Sequence, residues 1–345
     1  MRQSGLRLRY LAERAVRLNP TNLMECARQA KRISRAPLPV IVADMLWCSV
    51  RYEMAFRDYA VWDIRSLSAK ERATWMTHPK AFRLNTTLNG ADSRAILGDK
   101  PRFYRDFADM IRREWLDVAD AGLPEVEAFL ARHPRVLAKP PHGEGGAGIS
   151  IYSVRSDIVD VAAWRQSIID RGQSLIEEVI PQHERMAALY PGSVNTVRMI
   201  TYRKPDGELV VIAAVLRIGN GGVIDNFAGG GMFTMLDEHG VALWPGVDKQ
   251  SNIYREHPVT GVAIPGFAVP QYDAVLAMID EASRRLPTVP YVGWDIAITP
   301  EGPALIEANH NSSVFQMKPS ASGIRTGLLD RYRDAVGPGV LDRRR

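Results

Sequence analysis

The sequence has little cysteine and no long hydrophobic run. Cys26 and Cys48 are its two cysteines among 345 residues, and neither lies in a paired metal or redox spacing. Two thiols do not make a disulfide scaffold, so we expect small buried side chains in a reducing cytoplasm. The N-terminal residues have no apolar core of the kind that indicates a signal peptide, and no apolar stretch reaches the length of a transmembrane helix.

Acidic residues are scarce near the N-terminus, although the net charge of the whole chain is only +5. Residues 1–35 hold nine basic and two acidic side chains, or +7, which leaves about −2 for the rest. Such a patch can meet nucleic acid, anionic lipid or an acidic protein. No aromatic residues interleave with the basic run in the pattern of a nucleic-acid-binding surface, so we favour solvated helix faces and expect no nucleic-acid partner.

The N-terminal third, residues 1–95, is predicted to be mostly helical. Apolar residues recur at helical spacing over residues 6–18 and again over residues 40–60, where we predict one helix. Residues 85–92 are polar and predict a loop. This third carries no chemistry that stands on its own.

Residues 291–311, YVGWDIAITPEGPALIEANHN, read as two strands joined by a turn. Asp295 lies within the first strand, and Glu307 and Asn309 close the second on one shared face. Pairing of the strands would bring two carboxylates and an amide oxygen together, which is the ligand set that Mg²⁺ prefers. The alternative, acids that merely face solvent, is disfavoured because both acids are embedded in apolar runs.

A glycine-rich loop separates two predicted strands, residues 135–139 and 149–154. The first strand ends in Lys139, which could supply a point charge for phosphates. The loop itself lets backbone N–H groups approach an anion, through Gly143, Gly145, Gly146 and Gly148. The loop matches neither the Walker pattern nor a dinucleotide fingerprint, because no helix follows it. Taken alone, such a loop is as often a plain turn.

Two further features belong to predicted strands. Glu177, Glu178 and Val179 run out of a buried strand, and such an edge can bind an adenine through its backbone; the alternative is a surface strand end with two solvated glutamates. Arg198 and Arg217 fall within apolar strands, and buried arginines need anions. They are therefore candidates to bind a phosphate or a carboxylate substrate.

In this order and spacing, these features resemble the ATP-grasp superfamily of carboxylate ligases over residues 98–320. The N-terminal third and the phrases VNTVRMITY and DNFAGGGM resemble the sugar-transfer-associated branch, which is related to α-L-glutamate ligases. The resemblance implies an α+β fold in which two lobes clamp ATP. Residues 96–175 would form the first lobe and residues 176–330 the second, between the helical region 1–95 and a basic tail, 331–345.

The resemblance also implies roles for individual residues. The ATP phosphates would contact Lys100, Lys139, His142 and the loop at 143–148. The adenine edge would comprise Glu177, Glu178 and Val179, with Glu184 at the ribose. Asp295, Glu307 and Asn309 would bind one or two Mg²⁺, for which Mn²⁺ could substitute. The catalytic candidates are Arg198, Arg217 and Asn226. In one departure, Asp225 stands where peptide-adding relatives carry an arginine.

The implied function is the ATP-dependent ligation of a small-molecule or peptide carboxylate to an amine. The reaction would pass through an acyl phosphate and release ADP and phosphate, in natural-product, peptide or cell-surface glycan biosynthesis. A hydroxyl or thiol acceptor is less favoured. Two alternatives stay open: an inactive ATP-binding scaffold of a glycan assembly system, and a phosphotransferase acting on a hydroxyl, whose base would be His257 or His310. We expect a cytoplasmic protein, and a homodimer is left open.

Overall fold

The computed structural model describes residues 19–142, 148–221, 230–337 and 339–341, without the side chains of residues 92 and 93. The described helices, in chain order, are α1 (Pro20–Lys31), α2 (Leu38–Arg51), α3 (Phe56–Val61), α4 (Ala69–Ala73), α5 (His78–Leu88), α6 (Ala91–Gly98), α7 (Lys100–Asp106), α8 (Ala108–Ile111), α9 (Leu123–Arg132), α10 (Val154–Asp157), α11 (Val161–Asp170), α12 (Glu184–Leu189), α13 (Tyr272–Arg284), α14 (Pro319–Ser322) and α15 (Leu329–Val336). A short 3₁₀ helix spans Ile64–Ser66.

The described strands, in chain order, are β1 (Trp115–Asp117), β2 (Arg135–Lys139), β3 (Ser150–Ser153), β4 (Leu175–Glu178), β5 (Thr196–Arg203), β6 (Leu209–Ile218), β7 (Met232–Met235), β8 (Gly246–Asp248), β9 (Ile253–Tyr254), β10 (Tyr291–Thr299) and β11 (Gly302–Asn309). The strands predicted at residues 135–139 and on both sides of the turn at residues 300–301 are confirmed. In the described residues, no helix is both long and apolar enough to span a membrane.

Two details of the N-terminal third differ from prediction. The single helix expected over residues 40–60 is interrupted, since α2 ends at Arg51 and Glu53 adopts a left-handed φ of 53°. The loop expected over residues 85–92 is largely helical. Its amide side chains are satisfied inside the fold, because Asn89 donates to the Asn85 side chain (2.9 Å) and to the Tyr291 carbonyl (2.7 Å). Polar composition alone therefore misidentified these residues as a loop.

The chain forms two compact units. The first comprises residues 1–84, 247–253 and 313–345, and the second comprises residues 85–246 and 254–312. The predicted lobe boundary between residues 175 and 176 lies within the second unit and stays a prediction.

The described part of the first unit is mostly helical and contains buried polar links between distant segments. Lys318 forms an ion pair with Asp63 at 3.1 Å, with side chains only 1% and 2% exposed. Gln316 donates to the Met76 carbonyl at 2.6 Å. Cys26 and Cys48 are both buried here and form no disulfide, as expected.

The second unit contains two antiparallel sheets. The smaller has the strand order β1-β4-β2-β3 and packs apolar side chains against α9 and α11. The larger includes the consecutive strands β11-β10-β5-β6-β7, and its core includes residues of α7 and α13. Along β10, Trp294 and Ile296 belong to this core, and strand alternation turns Asp295 to the opposite face.

Candidate functional site

A cavity of about 320 Å³ lies against the small sheet in the second unit. Several of its walls are apolar, including Leu137, Ile151 and Ile306, which come from β2, β3 and β11. Its polar lining includes Lys139 and the chain from Glu177 onward. A concave site with apolar walls and a few polar groups is typical of a small-molecule pocket. The structure thus places Lys139, Glu177, Glu178 and Val179 around one space.

Lys139 and Glu177 belong to a buried network of four side chains. The Lys139 Nζ lies 2.5 Å from Glu177 Oε1, and the Arg113 Nε donates to Glu177 Oε2 at 2.7 Å. The Tyr104 hydroxyl donates to Glu177 at 2.6 Å and accepts from Lys139 (2.5 Å) and Arg113 (2.7 Å). The two cations and one carboxylate leave this network with one positive charge in excess.

The pKa values in the network reflect this excess. Burial lowers the pKa of Lys139, and the Arg113 charge lowers it further, against the attraction of Glu177. Burial alone would raise the pKa of Glu177, but the charges of Arg113 and Lys139 bring it down to about 2. Glu177 therefore stays ionised, and an anion placed beside Lys139 would strengthen the hold of that ammonium on its proton.

The start of the glycine-rich loop is fixed beside Lys100. An isolated β-bridge pairs Asp99 with His142, and the Lys100 N–H donates to the Pro141 carbonyl at 3.2 Å. Gly148, at the loop's far end, has a φ of +75°, a left-handed conformation that favours glycine. Gly143, Gly145, Gly146 and Asn226 lie outside the described residues, as does Asp225.

Asp295, Glu307 and Asn309 meet on one face of the large sheet. In the β10–β11 register Asp295 lies opposite Glu307, and Gly293 lies opposite Asn309. The Asn309 Nδ2 is 3.4 Å from Asp295 Oδ2. The strand register thus agrees with the prediction that pairing of the two strands brings these three side chains together.

A β-bulge turns Glu307 toward this face. Ile296 pairs with Leu305 while Asp295 pairs with Glu307, so Ile306 is the extra residue on β11. Leu305 belongs to the apolar core. In a ladder without the extra residue at this point, Ile306 would lie opposite Asp295 and Glu307 would turn to the core face.

The anion beside Arg198 and Arg217 is Asp295. Arg198 donates to both carboxylate oxygens, from Nε to Oδ1 at 2.5 Å and from Nη2 to Oδ2 at 2.8 Å, and Arg217 Nη1 donates to Oδ1 at 2.9 Å. Burial would raise the pKa of Asp295, but the two arginines lower it below its usual value. Contact between either arginine and a substrate stays a prediction.

Glu307 has a different environment from the other two buried carboxylates. Its nearest described cation is Lys100, whose Nζ lies 3.9 Å from Oε1, and its side chain is 22% exposed. Burial raises the pKa of Glu307, the Asp295 charge raises it further, and Lys100 and Lys139 only partly offset this. Glu307 is the carboxylate of the site with most to gain from an added cation.

The donor set fits Mg²⁺ held jointly with phosphates. Within the described ranges no three His, Cys, Asp or Glu side chains are grouped to hold a metal, so Asn309 would have to complete the set with Asp295 and Glu307. Mg²⁺ is usually bound by one or two carboxylates together with substrate phosphates and water. The partial exposure of Glu307 leaves it accessible to such an ion.

Three other predicted residues have different surroundings. Glu184 begins α12, is exposed, and does not line the cavity. His257 is buried, with Nε2 2.8 Å from the Gly219 carbonyl and Nδ1 accepting from the Val259 N–H at 3.3 Å. Both ring nitrogens of His257 are thus engaged within the fold. His310 lies 3.1 Å from the Asn85 side chain through Nδ1.

Tyr104 and Arg113 were not among the site residues predicted from the sequence. Tyr104 lies in PRFYRDF between Phe103 and Phe107, which belong to the same apolar core, so it blends into a helical stripe. Arg113 precedes the short strand β1, which was not predicted. The available signal was a basic residue two positions before the largely apolar stretch WLDV, since a buried arginine requires an acceptor.

The family model described as "Sugar-transfer associated ATP-grasp" matches residues 118–328, more than half of the chain. No curated protein matches the chain in sequence.

Several solved structures are similar to the chain. ATP-grasp ligase PsnB complexed with minimal precursor has 16% identity over 72% of this chain and 64% of its own, with a TM-score of 0.42. D-alanine–D-alanine ligase from Bacillus anthracis has 12% identity over 72% and 69%, with a TM-score of 0.40. The ADP complex of purK, N5-carboxyaminoimidazole ribonucleotide synthetase, has 12% identity over 70% and 52%, with a TM-score of 0.41. The chain spans less than two thirds of the length of PsnB.

Proposed function

This chain belongs to the sugar-transfer-associated ATP-grasp family and has the ATP-grasp fold, and we propose that it is a ligase that uses ATP to join a carboxylic acid to an amine. One observation carries the proposal. The buried cluster around Glu177, which includes two residues that line the cavity, holds one more positive than negative charge. Buried excess charge is costly unless an anion compensates it. A triphosphate bound in the cavity would supply such an anion.

The cavity is the proposed nucleotide site. Leu137, Ile151 and Ile306 offer apolar surface to a flat base, and the chain at Val179 offers backbone groups to its edge. Lys139 lines the same cavity and would face the phosphates. Lys100 stands at the start of the glycine-rich loop, where it would contribute a second charge.

The proposed reaction has two steps. A carboxylate oxygen attacks the γ-phosphorus of ATP, the bond to the β,γ-bridging oxygen breaks, and ADP leaves. The amine nitrogen then attacks the acyl carbon, phosphate departs with the electron pair of the broken C–O bond, and the nitrogen loses a proton. Lys100 and Lys139 offset the charge that develops on the phosphates. Mg²⁺, when held by Asp295, Glu307 and Asn309, would supply further charge neutralisation, and Mn²⁺ could replace it.

Arg198 and Arg217 fix Asp295 in this scheme. Their guanidinium groups hold the carboxylate from two sides, so its oxygens have a set direction before any ligand binds. A direct contact between either arginine and the substrate carboxylate is a further part of the proposal, as is a catalytic role for Asn226.

The substrates are proposed by class only. The acid is a small molecule or a peptide, and the acceptor is an amine in preference to a hydroxyl or thiol. The setting would be natural-product, peptide or cell-surface glycan biosynthesis in the cytoplasm, where ATP is available. Asp225 replaces the arginine of peptide-adding relatives, so the acceptor's own carboxylate would need another partner.

Isotope transfer tests this reaction. The protein is incubated with ATP, Mg²⁺ and a panel of carboxylic acids, with hydroxylamine as the nucleophile. We expect ADP, an acyl hydroxamate from the right acid, and ¹⁸O from that labelled carboxylate in the released phosphate. A phosphorylated alcohol with no ¹⁸O in phosphate would establish a phosphotransferase. ATP binding without turnover on any acid would instead favour the scaffold.

A further inference from the structure

Arg113 is a buried arginine that contacts both parts of the site. Its side chain is 0% exposed and its pKa is raised by the charge of Glu177 and by hydrogen bonds, against the effect of burial. On one side it holds Glu177 and the Tyr104 hydroxyl, each at 2.7 Å. On the other side, Nη1 donates to the Leu305 carbonyl at 2.7 Å and Nη2 to the Ile306 carbonyl at 3.3 Å. One guanidinium therefore joins the nucleotide cavity to β11.

Two of the three carbonyls that Arg113 holds belong to the bulge, and the third is that of Ile111 at 3.3 Å. Bulged residues leave the ladder and cannot be satisfied by the neighbouring strand in the usual way. Here Arg113 supplies donors at the point where Ile306 is inserted between Leu305 and Glu307. The direction of Glu307 follows from the geometry of this insertion.

The planar fork of arginine is required for this arrangement. Its N–H groups point in fixed directions to a carboxylate, a hydroxyl and three carbonyls at once. A lysine would keep the charge beside Glu177 but has one nitrogen, so it cannot reach both sides.

We propose that Arg113 is a positioning residue that holds the β11 bulge and thereby aims the Glu307 carboxylate at the ion bound with the nucleotide phosphates. The inference rests on the proposed function. It assigns Arg113 no contact with substrate or metal. Because Arg113 is also bound to Glu177, which lines the cavity, the direction of the Glu307 side chain is fixed relative to the cavity in which the nucleotide binds.

The test compares Arg113→Lys with Arg112→Lys. Arg112 is a matched control, because it is adjacent in sequence and donates to a carbonyl of the same hairpin, that of Glu301, at 2.7 Å, but from an exposed position at the turn. Thermal unfolding of the full chain is followed with saturating ADP while Mg²⁺ is titrated. For Arg113→Lys we expect the Mg²⁺ concentration for half of the metal-dependent stabilisation to rise about tenfold or more, as is typical when an outer-shell partner of a metal ligand is lost.

The possible outcomes distinguish the positioning role of Arg113 from the proposed function of the protein. Stabilisation by metal-free ADP should largely persist in Arg113→Lys, and Arg112→Lys should match the wild type in both respects. Equal Mg²⁺ midpoints for wild type and Arg113→Lys would overturn the positioning role. No nucleotide stabilisation of the wild type would instead overturn the proposed function.

A second variant covers the case in which Arg113→Lys does not fold. Tyr104→Phe removes one acceptor of the guanidinium and keeps the arginine and its charge. The Mg²⁺ midpoint should again rise, by a smaller factor. In the wild type, hydrogen exchange at Ile306 and Glu307 should slow when Mg²⁺ is added to the ADP complex. An unchanged midpoint in a folded Tyr104→Phe, or unchanged exchange there, would contradict the proposal.

Discussion

The three buried carboxylates of the site differ in what compensates their charge. Glu177 and Asp295 each contact two cations, and their pKa values are lowered despite burial. Glu307 has one cation at 3.9 Å, and its pKa is raised. Environments that push pKa values apart indicate different roles for similar groups. Glu177 and Asp295 organise cations that are already present, whereas Glu307 is arranged to receive one.

Glu307→Gln should abolish ligation and leave the fold intact. Loss of a metal ligand should lower kcat by about 100-fold or more, since a bound ion supplies several kcal/mol of charge stabilisation. The measurement is ADP release with the right acid. Glu301→Gln, at the exposed turn of the same hairpin, is the matched control and should retain activity. Full activity in Glu307→Gln would remove the metal assignment.

The same variant should be more stable than the metal-free wild type at neutral pH. A raised folded-state pKa means that the folded chain binds a proton over a range where the unfolded chain has lost it. Stability therefore falls as pH rises from the unfolded value through the folded one, and it stays lower above that window. Glutamine removes the penalty. The gain in melting temperature should be present at pH 7 and vanish below about pH 4.3, the ordinary glutamate value.

Lys139→Met should reduce the rise in melting temperature that ATP produces. Ligand that binds only the folded state stabilises it according to its affinity, so the shift reports binding. Lys204→Met is the control, because Lys204 pairs with Glu208 at 2.7 Å on an exposed strand end. An undiminished ATP shift in Lys139→Met would show that the phosphates bind elsewhere.

The sequence showed which residue types the site contains, but it did not show which of their side chains contact each other. A Lys at a strand end and an Asp–Glu–Asn set are visible in the sequence, because each lies within one strand or one hairpin. The partner of Arg198 and Arg217 was not visible. It depends on the order of β10, β5 and β6 in the sheet, which places Arg198 opposite Asp295 although 97 residues separate them.

At the scale of elements, the hairpin of β10 and β11 brings the carboxylates together. Alternating apolar residues predicted β10, an apolar run predicted β11, and the turn residues predicted the connection. The bulge was not predicted, because Leu305 and Ile306 read as a continuous buried run. The β10–β11 register shows instead that Ile306 is an extra residue between Leu305 and Glu307.

Gly293→Ala should destabilise this hairpin and disturb Arg198. A Cβ at Gly293 would lie 2.8 Å from the Ser312 Cα and 3.1 Å from the Arg198 Nη1, closer than ordinary contacts. Overpacking of this kind costs about 1–3 kcal/mol. Urea unfolding measures the loss, and activity should fall with it because Arg198 holds Asp295. Gly98→Ala is the control, since a Cβ there meets nothing within 4 Å. Equal stability of the two variants would contradict the close packing.

At the scale of the whole chain, the sequence predicted the second unit better than the first. The resemblance over residues 98–320 is confirmed by the family match at residues 118–328. Helical periodicity predicted that the N-terminal third is helical. It did not predict that residues 247–253 and 313–345 belong to the same unit, because that grouping depends on long-range packing.

Asp63→Asn should therefore destabilise the protein through a link between distant segments. Lys318 and Asp63 are 255 residues apart in sequence, and their ion pair is almost fully buried. Breaking such a pair leaves a buried charge uncompensated and costs about 3–5 kcal/mol. Asp330→Asn, which breaks the exposed pair with Arg333, should cost less than about 1 kcal/mol. Neither change touches a proposed nucleotide residue, so at temperatures where the variants are folded both should bind ATP as the wild type does. Calorimetry gives both quantities, and an Asp63→Asn protein as stable as Asp330→Asn would show that the helical unit does not depend on this pair.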